Sequence, residues 1–70
     1  MRVTRKEMER FLDECIRDFE RQAEQQAKEC DRWERLENNQ QFRRAYRHWE
    51  QYEEYAFAAA TILRRFRSRY

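Results

Sequence analysis

Glycine and proline are both absent from the 70 residues of this chain, although an ordinary protein contains about 7% and 5% of them. Tight β-hairpin turns need pairs such as Asn-Gly or Gly-X, so their absence argues against a β-sheet. Charged residues of both signs make up 43% of the chain and aromatic residues 16%, which suits solvated helices and argues against disorder. The sequence therefore predicts a single all-α domain.

Two helices are expected, joined by one turn. The stretch Thr4-Arg5-Lys6-Glu7 has the form of a capping box and predicts a helix start at Thr4. An apolar stripe then recurs at helical spacing and fades before Asn38-Asn39. In the absence of glycine, asparagine is the best available helix breaker. We therefore predict helix 1 at about 4–37, a turn at about 38–40 and helix 2 at about 41–68.

Helix 2 carries an apolar seam with alternating steps of three and four residues, which is a heptad pattern. Its members are Phe42, Ala45, Trp49, Tyr52, Ala56, Ala59, Leu63, Phe66 and Tyr70. Folding the chain about Asn38-Asn39 brings Phe19 against Ala56 and Ala59, so large side chains face small ones, as close packing requires. This complementarity predicts a two-helix antiparallel hairpin.

The stretch Tyr52–Leu63 is apolar around nearly its whole circumference, and a helix of that kind must be enclosed by several neighbours. The run Ala56–Leu63 is too short to cross a bilayer, so a protein assembly is expected. We predict that two hairpins dimerise into a four-helix bundle. The expected dimer interface comprises Tyr52, Tyr55, Ala56, Phe57, Ala59, Ala60, Ile62 and Leu63.

Residues suited to catalysis or metal binding are scarce. The chain has one histidine, one serine and two threonines, and it lacks a glycine-rich phosphate loop. His48 and Cys30 could approach each other in the hairpin, but two ligands do not make a zinc site. Cys15 and Cys30 lie about 22 Å apart on one helix, beyond disulfide reach. We expect a protein without enzyme activity, metal or cofactor, in the reducing cytoplasm.

Basic residues gather where the two chain ends meet in the hairpin. Four belong to helix 2 and four to the start of helix 1, and we call the whole set the basic pole: Arg64, Arg65, Arg67 and Arg69 with Arg2, Arg5, Lys6 and Arg10. Cations at a helix C-terminus complement the helix dipole, which is the favoured interpretation. Contact with phosphates or with an acidic protein partner are the alternatives. Without a DNA-reading motif, nucleic-acid binding is the second hypothesis for function.

Aromatic residues and arginines also gather near the turn. Tryptophan, tyrosine and arginine are the residues enriched in the hot spots of protein interfaces. We therefore predict a partner-binding site formed by Trp33, Arg43, Tyr46 and Arg47. A purely structural oligomerisation module is a third hypothesis.

The length, the single-hairpin plan, the missing glycine and the use of arginine for most cations resemble those of small phage proteins that bind and disable host factors. The nearest type is the phage quorum-sensing anti-activator, a dimer of helical hairpins that inhibits a host transcription regulator. This resemblance implies an inhibitor that works by binding a host protein, with no active site. It assigns no role to any residue of this chain.

Overall fold

The computed structural model describes residues 2–69, which form two helices of equal length. Helix α1 spans Arg5–Arg35 and helix α2 spans Asn39–Arg69, each with 31 residues. The helices pack side by side into a rod of 50 × 17 × 16 Å, as expected from a rise of about 1.5 Å per residue. Residues 2–69 contain no β-strand. The predicted all-α class and the two-helix hairpin are confirmed.

The N-terminus of α1 is capped as its sequence predicts. Thr4 has an extended backbone, and its Oγ1 accepts a hydrogen bond of 3.2 Å from the backbone N–H of Glu7. This bond satisfies one of the N–H groups that the first turn of a helix leaves without a partner. The threonine side chain therefore fixes the residue at which α1 begins.

The turn lies slightly earlier than the asparagine pair indicated. Helix α1 ends at Arg35, and the left-handed residue that stops it is Glu37, with φ of 55°. The N–H of Glu37 donates to the carbonyl of Glu34 at 3.1 Å, and that of Asn38 donates to Trp33 at 3.0 Å. These two bonds form a Schellman motif, in which glycine usually takes the left-handed position. In this chain Glu37 occupies that position.

Asn38 lies between the helices and makes hydrogen bonds at the end of α1 and at the start of α2. Its N–H closes the end of α1, and its Oδ1 accepts a bond of 3.1 Å from the N–H of Gln41, which caps the start of α2. Across the hairpin the ring of Phe19 contacts that of Tyr55, with centroids 5.4 Å apart. Ala56 and Ala59, the residues expected opposite Phe19, are buried.

The core between the helices is small. Only six apolar residues in the described range are buried, and four of them are alanines: Leu12, Ala23, Ala45, Ala56, Ala59 and Leu63. No large side chain in that range is completely buried. The chain exposes 6393 Å², whereas a compact monomer of 9.0 kDa exposes about 4,900 Å². A surplus of roughly 1,500 Å² of surface thus remains on the hairpin.

Candidate interaction surfaces

The hairpin has two broad faces, and contacts between its helices identify them. The ring contact of Phe19 with Tyr55 lies on one face. On the other, Arg67 Nε lies 4.0 Å from Glu9 Oε1. Residues three, four or seven positions apart share one side of a helix. These two cross-helix contacts therefore assign the rest of each helix to a face.

The first face is apolar and glutamine-rich, and we call it the neutral face. Its members are Phe11, Cys15, Phe19, Gln22, Gln26, Gln51, Tyr55 and Ile62. Phe11 and Ile62 are 59% and 55% exposed, although both are large apolar residues. Helical spacing also puts charged residues on this side, each seven positions from a member of the face: Asp18, Glu29, Arg44 and Arg69.

The second face mixes charges with fewer apolar groups, and we call it the charged face. Its members are Glu9, Asp13, Ile16, Glu20, Glu53, Phe57, Ala60 and Arg64. Phe57 is 73% exposed, more than any other large apolar residue in the described range. Phe57 is thus a single exposed ring among charged side chains.

The structure divides the eight residues expected at the dimer interface into separate sets. Ala56, Ala59 and Leu63 are at most 8% exposed because α1 covers them within one hairpin, so they retain little surface for a second chain. Tyr52 and Ala60 are half-buried. Tyr55 and Ile62 lie on the neutral face, and Phe57 lies on the charged face. The small side chains of the seam allow α1 and α2 to pack closely together.

The four residues expected at the partner site are also divided. Arg43, Tyr46 and Arg47 line one groove together with Phe42 and Glu50. These three predicted residues are thus brought together near the turn.

Trp33 lies in a different groove, which it lines with Gln26, Arg44 and His48. Trp33 and Gln26 follow Phe19 at steps of seven residues, which places this groove on the side of the neutral face. The spacing from Phe19 is the sequence signal that separates Trp33 from Tyr46.

Tyr46 is the centre of an aromatic row on α2. Its ring centroid is 6.2 Å from that of Phe42 and 5.5 Å from that of Trp49. The Tyr46 hydroxyl donates a hydrogen bond to the carboxylate of Glu50, which raises the pKa of Tyr46. Because the ring is held on both sides and still 45% exposed, it offers a preordered anchor for a partner.

Cys30 of α1 lies close to this aromatic row. Burial raises the pKa of its thiol, and the nearby carboxylates of Asp31 and Glu34 raise it further. Both effects disfavour the thiolate, so Cys30 is expected to stay a neutral thiol.

Glu9 neutralises part of the charge of the basic pole. Its Oε1 lies 3.2 Å from Arg5 Nε and 4.0 Å from Arg67 Nε. The four arginines of α2 follow one another at steps of one or two residues, which spreads them around the helix. They therefore do not form the single stripe that tracks a phosphate backbone.

Within residues 2–69, no group of three or more His, Cys, Asp or Glu side chains is placed to hold a metal ion. Neither of the two helices, over the residues described, has the length and hydropathy needed to cross a membrane. Comparison with known proteins gives no match to a family, a curated protein or a solved structure.

Proposed function

We propose that this chain is a non-enzymatic protein-binding protein that works as a dimer and acts by covering a surface of its target. One observation carries the proposal: the hairpin exposes 6393 Å², about 1,500 Å² more than a compact chain of its mass. That surplus is similar to what each subunit of a permanent dimer buries, about 1,000 Å² or more. Large apolar side chains exposed on both faces account for part of it.

The dimer is proposed because one hairpin has too little core. Ordering a residue costs about 1.5 kcal/mol of conformational entropy, and small domains offset this cost only by burying much apolar surface. Alanines supply most of the buried positions between α1 and α2. A second hairpin would cover one exposed face and complete a four-helix bundle.

The target-binding surface is proposed on the side that carries Phe57 and, nearer the turn, Tyr46 with Arg43 and Arg47. An exposed aromatic ring flanked by arginines has the composition of an interface hot spot. The arginines can pair with target carboxylates in a two-pronged geometry. Of the four residues expected from the sequence, Trp33 is therefore left out of the proposed site.

The biological role that we propose is inhibition of a host protein, such as a transcription regulator, by a small phage or mobile-element protein. The single-hairpin plan and the arginine-rich composition support this role. The proposed setting is the cytoplasm. Cys15 and Cys30 are both free thiols on one helix, as expected in a reducing compartment.

The test is affinity capture from bacterial lysate on the immobilised chain, followed by mass spectrometry and by a binding titration with the captured protein. Tyr46→Ala and Arg47→Ala should each weaken that binding by at least about tenfold, or roughly 1.4 kcal/mol. Gln40→Ala, an exposed position on the same helix, is the matched control and should bind normally. Circular dichroism and melting temperature should remain unchanged in all three variants.

Two results would contradict the proposal. Capture of nothing at stoichiometric level from several lysates would argue for a purely structural module. Normal target binding by both Tyr46→Ala and Arg47→Ala would show that the site lies elsewhere on the chain.

Nucleic-acid binding through the basic pole is the alternative function, favoured only by its eight cations. Phosphate contacts release counterions, so the resulting affinity falls steeply as salt rises. We expect no mobility shift of duplex DNA or RNA at micromolar protein and near-physiological salt. If a shift appears and replacing Arg64, Arg65, Arg67 and Arg69 with glutamine lowers its salt dependence, the alternative replaces our proposal.

A further inference from the structure

We propose that Arg43, Arg44 and Arg47 of α2 bind a short acidic segment of the target protein, and that the ring of Tyr46 packs against an apolar side chain of the same segment. This inference rests on the function proposed above and names the chemistry of the target. Three features of the hairpin support it: arginines that have no carboxylate partner, carboxylates that limit the length of the basic surface, and aromatic rings beside it.

The three arginines are exposed and have no partner of opposite charge. Together with His48 they line one groove. Among residues 2–69, no carboxylate oxygen lies within 4.0 Å of their guanidinium groups, whereas five other arginines each have such a neighbour: Arg5, Arg17, Arg21, Arg32 and Arg67. Arg47 stands beside both Arg43 and Arg44 by helical spacing, and neighbouring like charges destabilise a helix. Carboxylates supplied by another molecule would offset that repulsion.

The groove itself contains no acidic residue, since Asn39 and Gln40 complete its lining. Four other grooves on the described part of the hairpin each include at least one carboxylate from a set of four residues: Glu29, Asp31, Glu34 and Glu50. Complementary potentials guide association between proteins. Charge complementarity therefore favours an anionic occupant for the arginine groove.

Carboxylates limit the length of this basic surface. Residues 39–49 contain no Asp or Glu, but Glu37 precedes them and Glu50 follows them. Residues 39–49 extend for about 16 Å along the helix axis. Duplex DNA carries one charge per about 1.7 Å without interruption, so its phosphates would continue past both carboxylates. A peptide segment with two or three carboxylates can end within the basic surface, and we therefore favour a protein segment over nucleic acid.

The spacing of the arginines suits several carboxylates. Arg43 and Arg47 are one helical turn apart, and side chains at that spacing have Cβ atoms about 5–6 Å apart. Each guanidinium group can bind its own carboxylate in a two-pronged geometry. Acidic residues one turn apart on a target helix have the same spacing, so a pair of them can meet both arginines.

Aromatic rings lie directly beside the arginines. Phe42 and Tyr46 share a second groove with Arg43 and Arg47. The carboxylate of Glu50 in that groove accepts a hydrogen bond from the Tyr46 hydroxyl. The exposed ring can therefore pack against an apolar side chain that adjoins the acidic residues of the target.

Fluorescence anisotropy with the full chain tests this chemistry. The probe is a labelled helical peptide of about 14 residues, with glutamate at every third or fourth position and leucines between them. We expect it to bind at least about tenfold more tightly than the same peptide with glutamine in place of glutamate. Arg43→Gln combined with Arg47→Gln should weaken binding of the glutamate peptide at least about tenfold.

The matched control removes two positive charges elsewhere on the same helix. Arg64→Gln combined with Arg65→Gln should weaken binding by less than about twofold, because these residues lie about 25 Å or more along the helix from Arg47 and salt screens charges beyond about 8 Å. Circular dichroism checks that both double variants fold.

The outcomes separate this inference from the function proposed above. Preference for the glutamate peptide, lost in the Arg43 and Arg47 variant and kept in the control, supports it. Equal binding of the two peptides, an equal loss in both double variants, or no binding of the glutamate peptide up to about 1 mM overturns it. Tighter binding of a phosphoserine peptide or of single-stranded DNA also overturns it. In each of these cases the proposed function stands if the captured target still binds more weakly to Tyr46→Ala and Arg47→Ala.

Discussion

The two faces of this hairpin are built by the same two helices and differ chiefly in charge. The neutral face exposes Phe11 and Ile62 among glutamines, whereas the charged face exposes Phe57 among carboxylates. Both faces contain large apolar side chains in contact with water, so hydrophobicity alone does not tell them apart. Charge does, because the charged face carries Glu9, Asp13, Glu20 and Glu53, and like charges repel when a surface meets its own copy.

A second difference lies in the kind of partner that each face suits. Glutamine side chains both donate and accept hydrogen bonds, so a glutamine can pair with another glutamine across a two-fold axis. Carboxylates and arginines need a partner of opposite charge, which a foreign protein can present. We therefore expect the proposed self-association at the neutral face and the proposed target binding at the charged face. Each prediction below would either separate the two faces more sharply or show that they are not distinct.

The largest effect is expected from Ala59→Arg. This substitution lies on neither face, but it disrupts the packing of α1 against α2 on which both faces depend. Ala59 is 8% exposed between α1 and α2, and a buried unpaired arginine costs several kcal/mol. We expect loss of helicity by circular dichroism and loss of cooperative melting. Ala58→Arg, at the exposed neighbouring position, should remain helical. A normally folded Ala59→Arg variant would show that the seam runs elsewhere.

A pair of alanine substitutions on α2 should separate the faces. Ile62→Ala removes an exposed branched side chain from the neutral face and should weaken dimerisation roughly 10- to 30-fold while leaving target binding per dimer unchanged. Phe57→Ala should do the reverse, with target binding reduced about tenfold and dimerisation unchanged. Analytical ultracentrifugation measures the first quantity and a binding titration the second. If either substitution changes both quantities equally, the two faces act as one surface.

The helices themselves could be predicted from the sequence because their signals are local. The Thr4 hydroxyl caps α1 as the capping box indicates, and the heptad spacing of Ala45, Ala56 and Leu63 matches their burial. These signals depend on residues within two turns of each other. Fold class and hairpin topology follow from them, since one break between two long amphipathic helices leaves few other arrangements.

The register between the helices could not be predicted in the same way. Asparagine is the better residue for a left-handed turn, yet Glu37 adopts that conformation and Asn38 caps the next helix instead. Asn38 serves as the N-cap of α2, so the left-handed conformation falls on Glu37. A rule based on the propensity of each residue alone does not compare these two roles of asparagine. Across the hairpin Tyr55 stands against Phe19. Trp33 and Tyr46 lie apart because Trp33 follows Phe19 at steps of seven residues, which puts it on the side of the neutral face.

The smallest effect is expected at the turn, which sets the register of both faces without belonging to either. Glu37 has a φ of 55°, and a left-handed conformation costs a residue with a side chain about 1–2 kcal/mol. Glycine avoids that cost, but it also increases the conformational entropy of the unfolded chain, which opposes folding. Glu37→Gly should therefore stabilise the protein by a net of about 0.5–1 kcal/mol.

The neighbouring substitution Asn38→Ala is the matched opposite. It deletes the bond to the N–H of Gln41 and should destabilise the protein by about 1 kcal/mol. Both are measured by denaturant unfolding at one fixed chain concentration, because dimerisation makes stability depend on concentration. Neither variant should change the dimer dissociation constant or target affinity of the folded protein, since the turn's geometry is kept. If Glu37→Gly destabilises the chain instead, the left-handed residue lies elsewhere in the turn, and the register that defines the two faces must be redrawn.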